Sequence, residues 1–323
     1  MLISVVVPTH NRHSLLKEAI ASLRSQTYGN WELIVVDDGS DPPVILDERE
    51  APDASRIRFV RLAQNEGPSG ARNAGIEVAS GDLVTFLDDD DLFAGNALEL
   101  IATAFRNRAD LDCLFVNVAP FGELAEGTQE NQTRALRRIL DELGLDSRSA
   151  AGTLALPAKL FEVLLDGVPM AFQRVAIRRS ALSRVGPYMG RGFEDIEFYL
   201  RVALRCACAL LADPVYRPRC AGQSFFTRID AKADLIESSI RVREGLLRLP
   251  EVSGSRDLQR CVRRTLADAR FEKTYFAYET GKPFPWRDYL GSCATGITWP
   301  HVSILLKQVT RSVSGKKLAS TRK

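Results

Sequence analysis

The 323-residue sequence predicts an α/β fold built on a mostly parallel central sheet flanked by helices, and three observations predict it. Over residues 1–100, short β-branched runs alternate with segments of helical periodicity, the rhythm of strand–helix–strand crossover units. The runs LISVVVP and WELIVVDD are apolar almost throughout, as strands covered on both faces must be. Three of the first four strands then end in polar clusters, PTHNR, DDGS and DDDD, and open α/β sheets bind ligands beyond the carboxyl ends of their strands.

LISVVVP is the first strand. The next segment places Leu15, Leu16, Ala19, Ile20 and Leu23 on one helical face, and WELIVVDD returns to the sheet. RIRFVRL alternates Ile57, Phe59 and Val60 with arginines, the pattern of an edge or half-exposed strand. GARNAGIEVAS reads as a helix and DLVTFL as a fourth strand ending at Asp88. Residues 122–170 are charged and glycine-rich with no strong strand, a variable segment suited to shaping a specific pocket. The pattern sharpens again from Phe172: Ile196, Tyr199, Leu200, Ala203 and Leu204 form one helical stripe with Glu194 and Asp195 at its N-terminus, VYRPR is strand-like, and residues 231–280 are helical by periodicity.

Composition bounds the function. Hydrophobic residues at 45% and charged residues at 26% describe a globular chain long enough for about two folding units. The 43 Lys and Arg against 41 Asp and Glu leave a net charge of +2, so no global field argues for nucleic acid. Six cysteines without a C-x-x-C pair, beside three histidines, exclude the familiar zinc spacings and read as reduced core thiols. The start, MLISVVVPTHNR, lacks the charged region and the apolar length of a signal peptide and predicts a cytosolic chain. The uncharged stretch 289–306 is broken by Gly291, Ser292, Gly296, Pro300 and His301 and fails as a bilayer span. From Val302 onward Ile304, Leu305, Val309 and Val313 recur at helical spacing, and no acid follows Asp288 while six cations do. That tail is either a solvated terminus or a peripheral contact with an anionic membrane surface.

Each polar cluster has a plain reading and a chemical one. Asp38 in DDGS either belongs to a solvated turn or accepts from a base or ribose; Thr9 and Asn11 either cap a helix or line a site, and Arg12 is either a surface charge or part of it. One or two acids before a helix suit its dipole. Four in a row, Asp88 to Asp91, point further, to a divalent cation, since Mg and Mn take oxygen ligands and bridge one or two carboxylates to substrate phosphates. Asp195 reads as an N-cap that partial burial would also make a general base. Neither a G-x-G-x-x-G after a strand nor a P-loop is present.

Taken in order, ISVVVPTHNR, ELIVVDDGS, NEGPSGARNAGI, GDLVTFLDDDD and GFEDIEFYLRV resemble family-two glycosyltransferases of the GT-A fold, over roughly residues 2–225. The resemblance implies a GT-A domain at 1–225, with a nucleotide-binding half (1–121) and an acceptor-binding half (122–225), followed by a helical extension with a basic tail at 226–323. It implies that Thr9 and Asp38 hold the nucleotide base with Pro8, Asn11 and Arg12 around it, and that Arg72 lies near the pyrophosphate. Asp88 to Asp90 match the D-x-D, with Asp90 on Mn or Mg and Asp88 and Asp89 facing ribose and donor sugar. Asp195 matches the catalytic base, with Glu194 beside it positioning acceptor or donor. Where many relatives carry R-x-H, this chain reads YRPRCAGQS, so Arg217 or Arg219 would serve near the phosphates.

The implied activity is inverting, metal-dependent transfer of one sugar from a nucleoside diphosphate sugar, a UDP-sugar by default, to a glycan or lipid-linked acceptor in surface glycan or polysaccharide assembly. The chain lacks the Q-x-x-R-W motif and the membrane spans of processive members, which implies non-processive transfer in the cytoplasm or at the inner face of the membrane. The alternative is a non-catalytic relative that binds a nucleotide sugar and serves as a partner subunit.

Overall fold

The computed structural model describes residues 1–45, 53–146, 152–190, 195–221 and 229–314. Two compact units divide the chain, Met1–Gly222 and Gln223–Lys323. The expected boundary between residues 225 and 226 lies outside the described residues.

In the first unit β1 (Ile3–Thr9) and β2 (Trp31–Asp37) run parallel in register, from Ile3 opposite Trp31 to Thr9 opposite Asp37, and both are buried almost throughout. Between them α1 (His13–Arg24) lays Leu16, Ala19, Ile20 and Leu23 into the core. β3 (Ile57–Arg61) is the sheet's edge and keeps Phe59 exposed. α2 (Gly67–Val78) begins at GPSG, earlier than periodicity suggests, because Pro68 in the first turn presets helical φ where no N–H is needed. It also lies unusually close to the sheet. A Cβ added at Gly75 would sit 2.3 Å from Val6 Cγ1, so only glycine lets the helix rest on β1 and β2 there. β4 (Leu83–Phe86) then pairs parallel with β1.

Beyond β4 the sheet is mixed, which the early rhythm does not reveal. The remaining elements are β5 (Leu92–Phe93), α3 (Ala97–Asn107), β6 (Cys113–Val118), α4 (Ala125–Glu142), β7 (Thr153–Ala155), α5 (Leu160–Leu164), β8 (Val175–Arg178), α6 (Arg179–Val185), α7 (Asp195–Arg205) and β9 (Cys208–Arg217). Their order is β3-β2-β1-β4-β8-β6-β9-β5, with β7 on β9. β8 runs antiparallel to both β4 and β6, whereas β9 runs parallel to β6. β9 is ten residues long where only VYRPR looks strand-like, since its register shifts against β6 beside Asn117 and Pro214 interrupts its donor pattern. β7 falls inside the segment that shows no strong strand in sequence.

α7 departs from a single apolar stripe: Phe198, Tyr199, Leu200, Val202 and Ala203 are all buried, as are Glu197 and Arg201. The two charges satisfy each other. Arg201 donates from Nε and Nη2 to the Glu197 carboxylate at 2.7 and 2.8 Å, and its remaining donors reach the carbonyls of Val185 and Pro187.

The second unit is helical, with α8 (Ile229–Leu246), α9 (Pro250–Ser253), α10 (Arg256–Thr280), α11 (Trp286–Ser292) and α12 (Trp299–Ser314). Its core gathers Ile236 and Ile240 from α8 with Leu266, Ala269 and Phe276 from α10. α12 starts at Trp299 and buries His301 and Ile304 while Val309 is exposed, so Ile304 and Val309 do not share one buried face. No described helix is long and apolar enough to cross a membrane. None of the cysteines forms a disulfide, and only Cys113 and Cys208 are core thiols; the other four are partly buried.

Candidate functional site

Parallel strands that end at one level bring their following turns together. Beyond β1, β2 and β4 those turns enclose a cavity of about 480 Å³. Pro8, Thr9, His10 and Arg12 line it from the first turn, Asp38 from the second and Asp88, Asp89 and Asp90 from the third, while Asn65, Gly67, Pro68 and Arg72 close it from the start of α2. Two larger depressions, along α4 and within the second unit, are lined by none of these turns.

The four aspartates have four different surroundings. Asp88 lies between two guanidiniums, that of buried Arg72 with Nη2 at 2.8 Å from Oδ1 and that of partly buried Arg174 with Nη2 at 3.2 Å from Oδ2. Burial pushes its carboxyl up, but the Arg174 and Arg72 charges prevail and hold it below the usual range. Asp89 is buried, accepting from Thr9 Oγ1 at 2.7 Å and from Arg12 Nη1 at 3.0 Å; burial wins there and raises its pKa. Its oxygens therefore face protein groups as well as the cavity. Asp90 is the most open, with Oδ2 on the half-exposed Arg12 at 2.8 Å. Asp91 turns away from the cavity. It accepts from Tyr216 Oη and the Arg219 amide, both at 2.8 Å, fastening the end of β9 to the run. Burial and the neighbouring Asp88 push its pKa up to about 7.

Asp38 also has structural work. Its oxygens accept from the Glu66 amide at 2.7 Å and the Gly67 amide at 2.9 Å, which ties the end of β2 to the start of α2. Gly39 permits this approach: at φ 71° its missing Cβ would stand 2.9 Å from the Asn65 nitrogen. Asn11 does not line the cavity. At φ 57° it joins the first two turns, donating its amide to Ser40 Oγ at 2.9 Å and accepting from the Asp41 amide at 2.8 Å. Asp37, beside it, is held below the ordinary range: burial opposes, but hydrogen bonds from Ser40 and Val44 and the Arg61 charge prevail.

Asp195 opens α7 and is partly buried. Burial raises its carboxyl, Arg72 and Arg174 oppose the rise and Asp88 adds to it, so Asp195 shares one electrostatic field with the aspartate run. Glu194 lies outside the described residues. Periodicity misses His10, the Asn65–Pro68 entry into α2 and above all Arg174, whose only signal is an arginine directly before the apolar run VAI. Arg219 meets the run through Asp90, donating Nε to its carbonyl at 2.9 Å.

The donor set suits a hard divalent cation at one place. Asp88 has both oxygens on arginines that are buried or nearly so, whereas Asp90 faces solvent and its contact with half-exposed Arg12 is of the kind that costs little to exchange. One carboxylate joined by substrate phosphates and water is a usual arrangement for Mg. Among the described residues, no three His, Cys, Asp or Glu side chains form a protein-only metal cage.

Residues 4–159 match Glycosyl transferase family 2. A 99-residue stretch is 38% identical to UDP-Glc:alpha-D-GlcNAc-diphosphoundecaprenol beta-1,3-glucosyltransferase WfgD of Escherichia coli, over 31% of this chain and 39% of that protein. Another of 102 residues is 43% identical to GalNAc(5)-diNAcBac-PP-undecaprenol beta-1,3-glucosyltransferase of Campylobacter jejuni, over 31% and 33%. The matched stretch spans well under half the length of these relatives. Among solved structures, S. aureus TarS in complex with UDP-GlcNAc aligns with a TM-score of 0.59 at 17% identity, over 98% of this chain and 93% of that one. Mannosyltransferase PcManGT from Pyrobaculum calidifontis, in complex with GDP-Man and Mn2+, aligns with a TM-score of 0.51 at 15% identity, over 96% and 80%. Likeness at these identities speaks for the fold, which is GT-A.

Proposed function

We propose, from the match of residues 4–159 to Glycosyl transferase family 2, that the chain transfers a single sugar, with inversion, from a nucleoside diphosphate sugar to an acceptor hydroxyl in glycan assembly. One observation carries the reading: three strand-end turns line a single cavity, and Asp195 shares the field of Asp88, Arg72 and Arg174 beside it. The Asp38 turn and the Asn65–Pro68 entry into α2 take the nucleotide base, and Arg12 at the mouth is free enough to meet the diphosphate. Asp90 would hold Mn or Mg, which when bound would neutralise diphosphate oxygens as a Lewis acid.

An alcohol is too weak a nucleophile at neutral pH without a base. Asp195 accepts its proton as the oxygen bonds to the anomeric carbon. The bond from that carbon to the diphosphate breaks, its electron pair leaves with the diphosphate, and a single in-line displacement inverts the centre. Burial raises the basicity of Asp195 and Arg72 and Arg174 limit the rise, which suits a general base.

The names of the Escherichia coli and Campylobacter relatives support a polyprenol-diphosphate-linked acceptor, and UDP-Glc and UDP-GlcNAc in the names of relatives support a UDP-sugar donor. The Mn2+ in the Pyrobaculum complex supports the cation. A panel of UDP- and GDP-sugars, each with and without Mn, tests the reading by thermal shift and then by product formation on a polyprenol-diphosphate sugar. A true donor at about 100 times its Kd adds roughly 2.7 kcal/mol to the stability of the native state. If no nucleotide sugar shifts melting under either condition and none is consumed, the proposal fails.

A further inference from the structure

Six of the eleven exposed large apolar side chains among the described residues fall within residues 286–309 of the second unit. Trp286 and Leu290 stand on the outer side of α11, whose Tyr289 and Ser292 are buried. Ile297 is 71% exposed in the connection, and Trp299, 73% exposed, opens α12. At 100° per residue, Leu306 and Val309 share the side of Trp299, away from the buried His301 and Ile304. Both helices pack on α10, so these side chains point away from it. Trp286 is held in place by Phe284 and Tyr289, with ring centroids at 4.7 and 6.2 Å. Six such side chains on one 24-residue stretch exceed the scatter normal for a protein surface.

Charge selects the occupant. After Gly281 the chain has eight Lys and Arg against a single acid, Asp288, and that acid is turned to Lys273 Nζ at 2.9 Å. Two copies of so basic a face repel each other, whereas an anionic bilayer offers an apolar interior and a negative surface together. Exposed tryptophans suit the headgroup boundary, where an apolar ring and a polar N–H are both satisfied. We infer that the Trp286–Val309 face of the second unit docks on an anionic lipid surface, lying on it without crossing. The apolar face inserts, and the cations that follow supply long-range attraction.

The test uses the full chain without nucleotide, so it stands or falls apart from sugar transfer. The protein should sediment with phosphatidylglycerol-containing vesicles at low salt, and not with phosphatidylcholine alone. Brominated lipid should quench its fluorescence through Trp286 and Trp299, because Trp31 is buried in the sheet. The double variant Trp299→Ser/Leu306→Ser removes two exposed side chains and should weaken vesicle binding about tenfold or more with unchanged melting. Absence of vesicle binding or of quenching overturns the inference. So does equal binding by the double variant, which would leave only the basic tail, or a wild-type dimer in sedimentation velocity that the variant dissolves, which would make a second copy the occupant.

Discussion

Four adjacent carboxylates are stable here because each has its own set of partners: Arg72 and Arg174 for Asp88, Thr9 and Arg12 for Asp89, Arg12 and solvent for Asp90, and Tyr216 with a backbone amide for Asp91. Asp91 thus separates structure from chemistry within the run. Its folded pKa of about 7 lies above the roughly 3.9 of an unfolded aspartate, so the native state binds the extra proton between those values and loses stability as pH rises through them. Asp91→Asn removes that titration. Melting temperatures at pH 5 and pH 8 should then differ less in the variant than in the wild type, by on the order of 1 kcal/mol, or about 2–4 °C; equal pH slopes would contradict the assignment. Asp195 titrates with another consequence. As a base with a raised pKa it works when deprotonated, so turnover should fall with decreasing pH above the ordinary carboxylate range. Asp195→Asn should keep nucleotide affinity, lower kcat by about 10²- to 10⁴-fold and abolish that acid limb. A stable variant that transfers sugar at the wild-type rate would remove Asp195 from the mechanism.

At the scale of elements, α7 sets where Asp195 sits, and an internal ion pair sets α7. Arg201 and Glu197 are both buried and bidentate, and Arg201 also reaches the carbonyls at the end of α6. Removing one partner leaves a buried charge uncompensated, which costs about 3–5 kcal/mol. Arg201→Met should therefore destabilise by that order in urea unfolding and misplace Asp195, whereas the double change Arg201→Met/Glu197→Leu should recover much of the loss. A single variant as stable as the wild type would show that water reaches the pair. The second turn is built on the same logic with backbone partners, since Asp38 fixes the start of α2 through two amides.

Across the whole molecule, every residue lining the strand-end cavity belongs to the unit Met1–Gly222, and the helical unit Gln223–Lys323 has a hydrophobic core of its own. A fragment of residues 1–222 should melt cooperatively and bind the nucleotide with the Kd of the full chain in calorimetry. Lost affinity in a folded fragment would assign part of the nucleotide site to the second unit. The units also differ in surface, since the exposed apolar side chains cluster in the second.

Legible from the order of residues alone are the parallel half of the sheet and the chemistry at its rim. Strands buried on both faces are written as unbroken apolar runs, as in ISVVVP and ELIVV, and the polar clusters stand directly behind them in the chain. Local periodicity reports burial and not partners, so the rest waited for the tertiary structure. β8 inserts antiparallel between β4 and β6, which follow quite different stretches of chain, and β9 is hidden by its register shift and proline. Ion pairing depends on distance through space: Arg12, Arg72 and Arg174 meet the aspartate run from three separate segments, and only that meeting makes Asp90 its open member. The same holds for α12. Its spacing allows several apolar faces, and packing on α10 selected the one of His301 and Ile304, leaving Trp299, Leu306 and Val309 to solvent, because a helix buries whichever side its neighbour can cover.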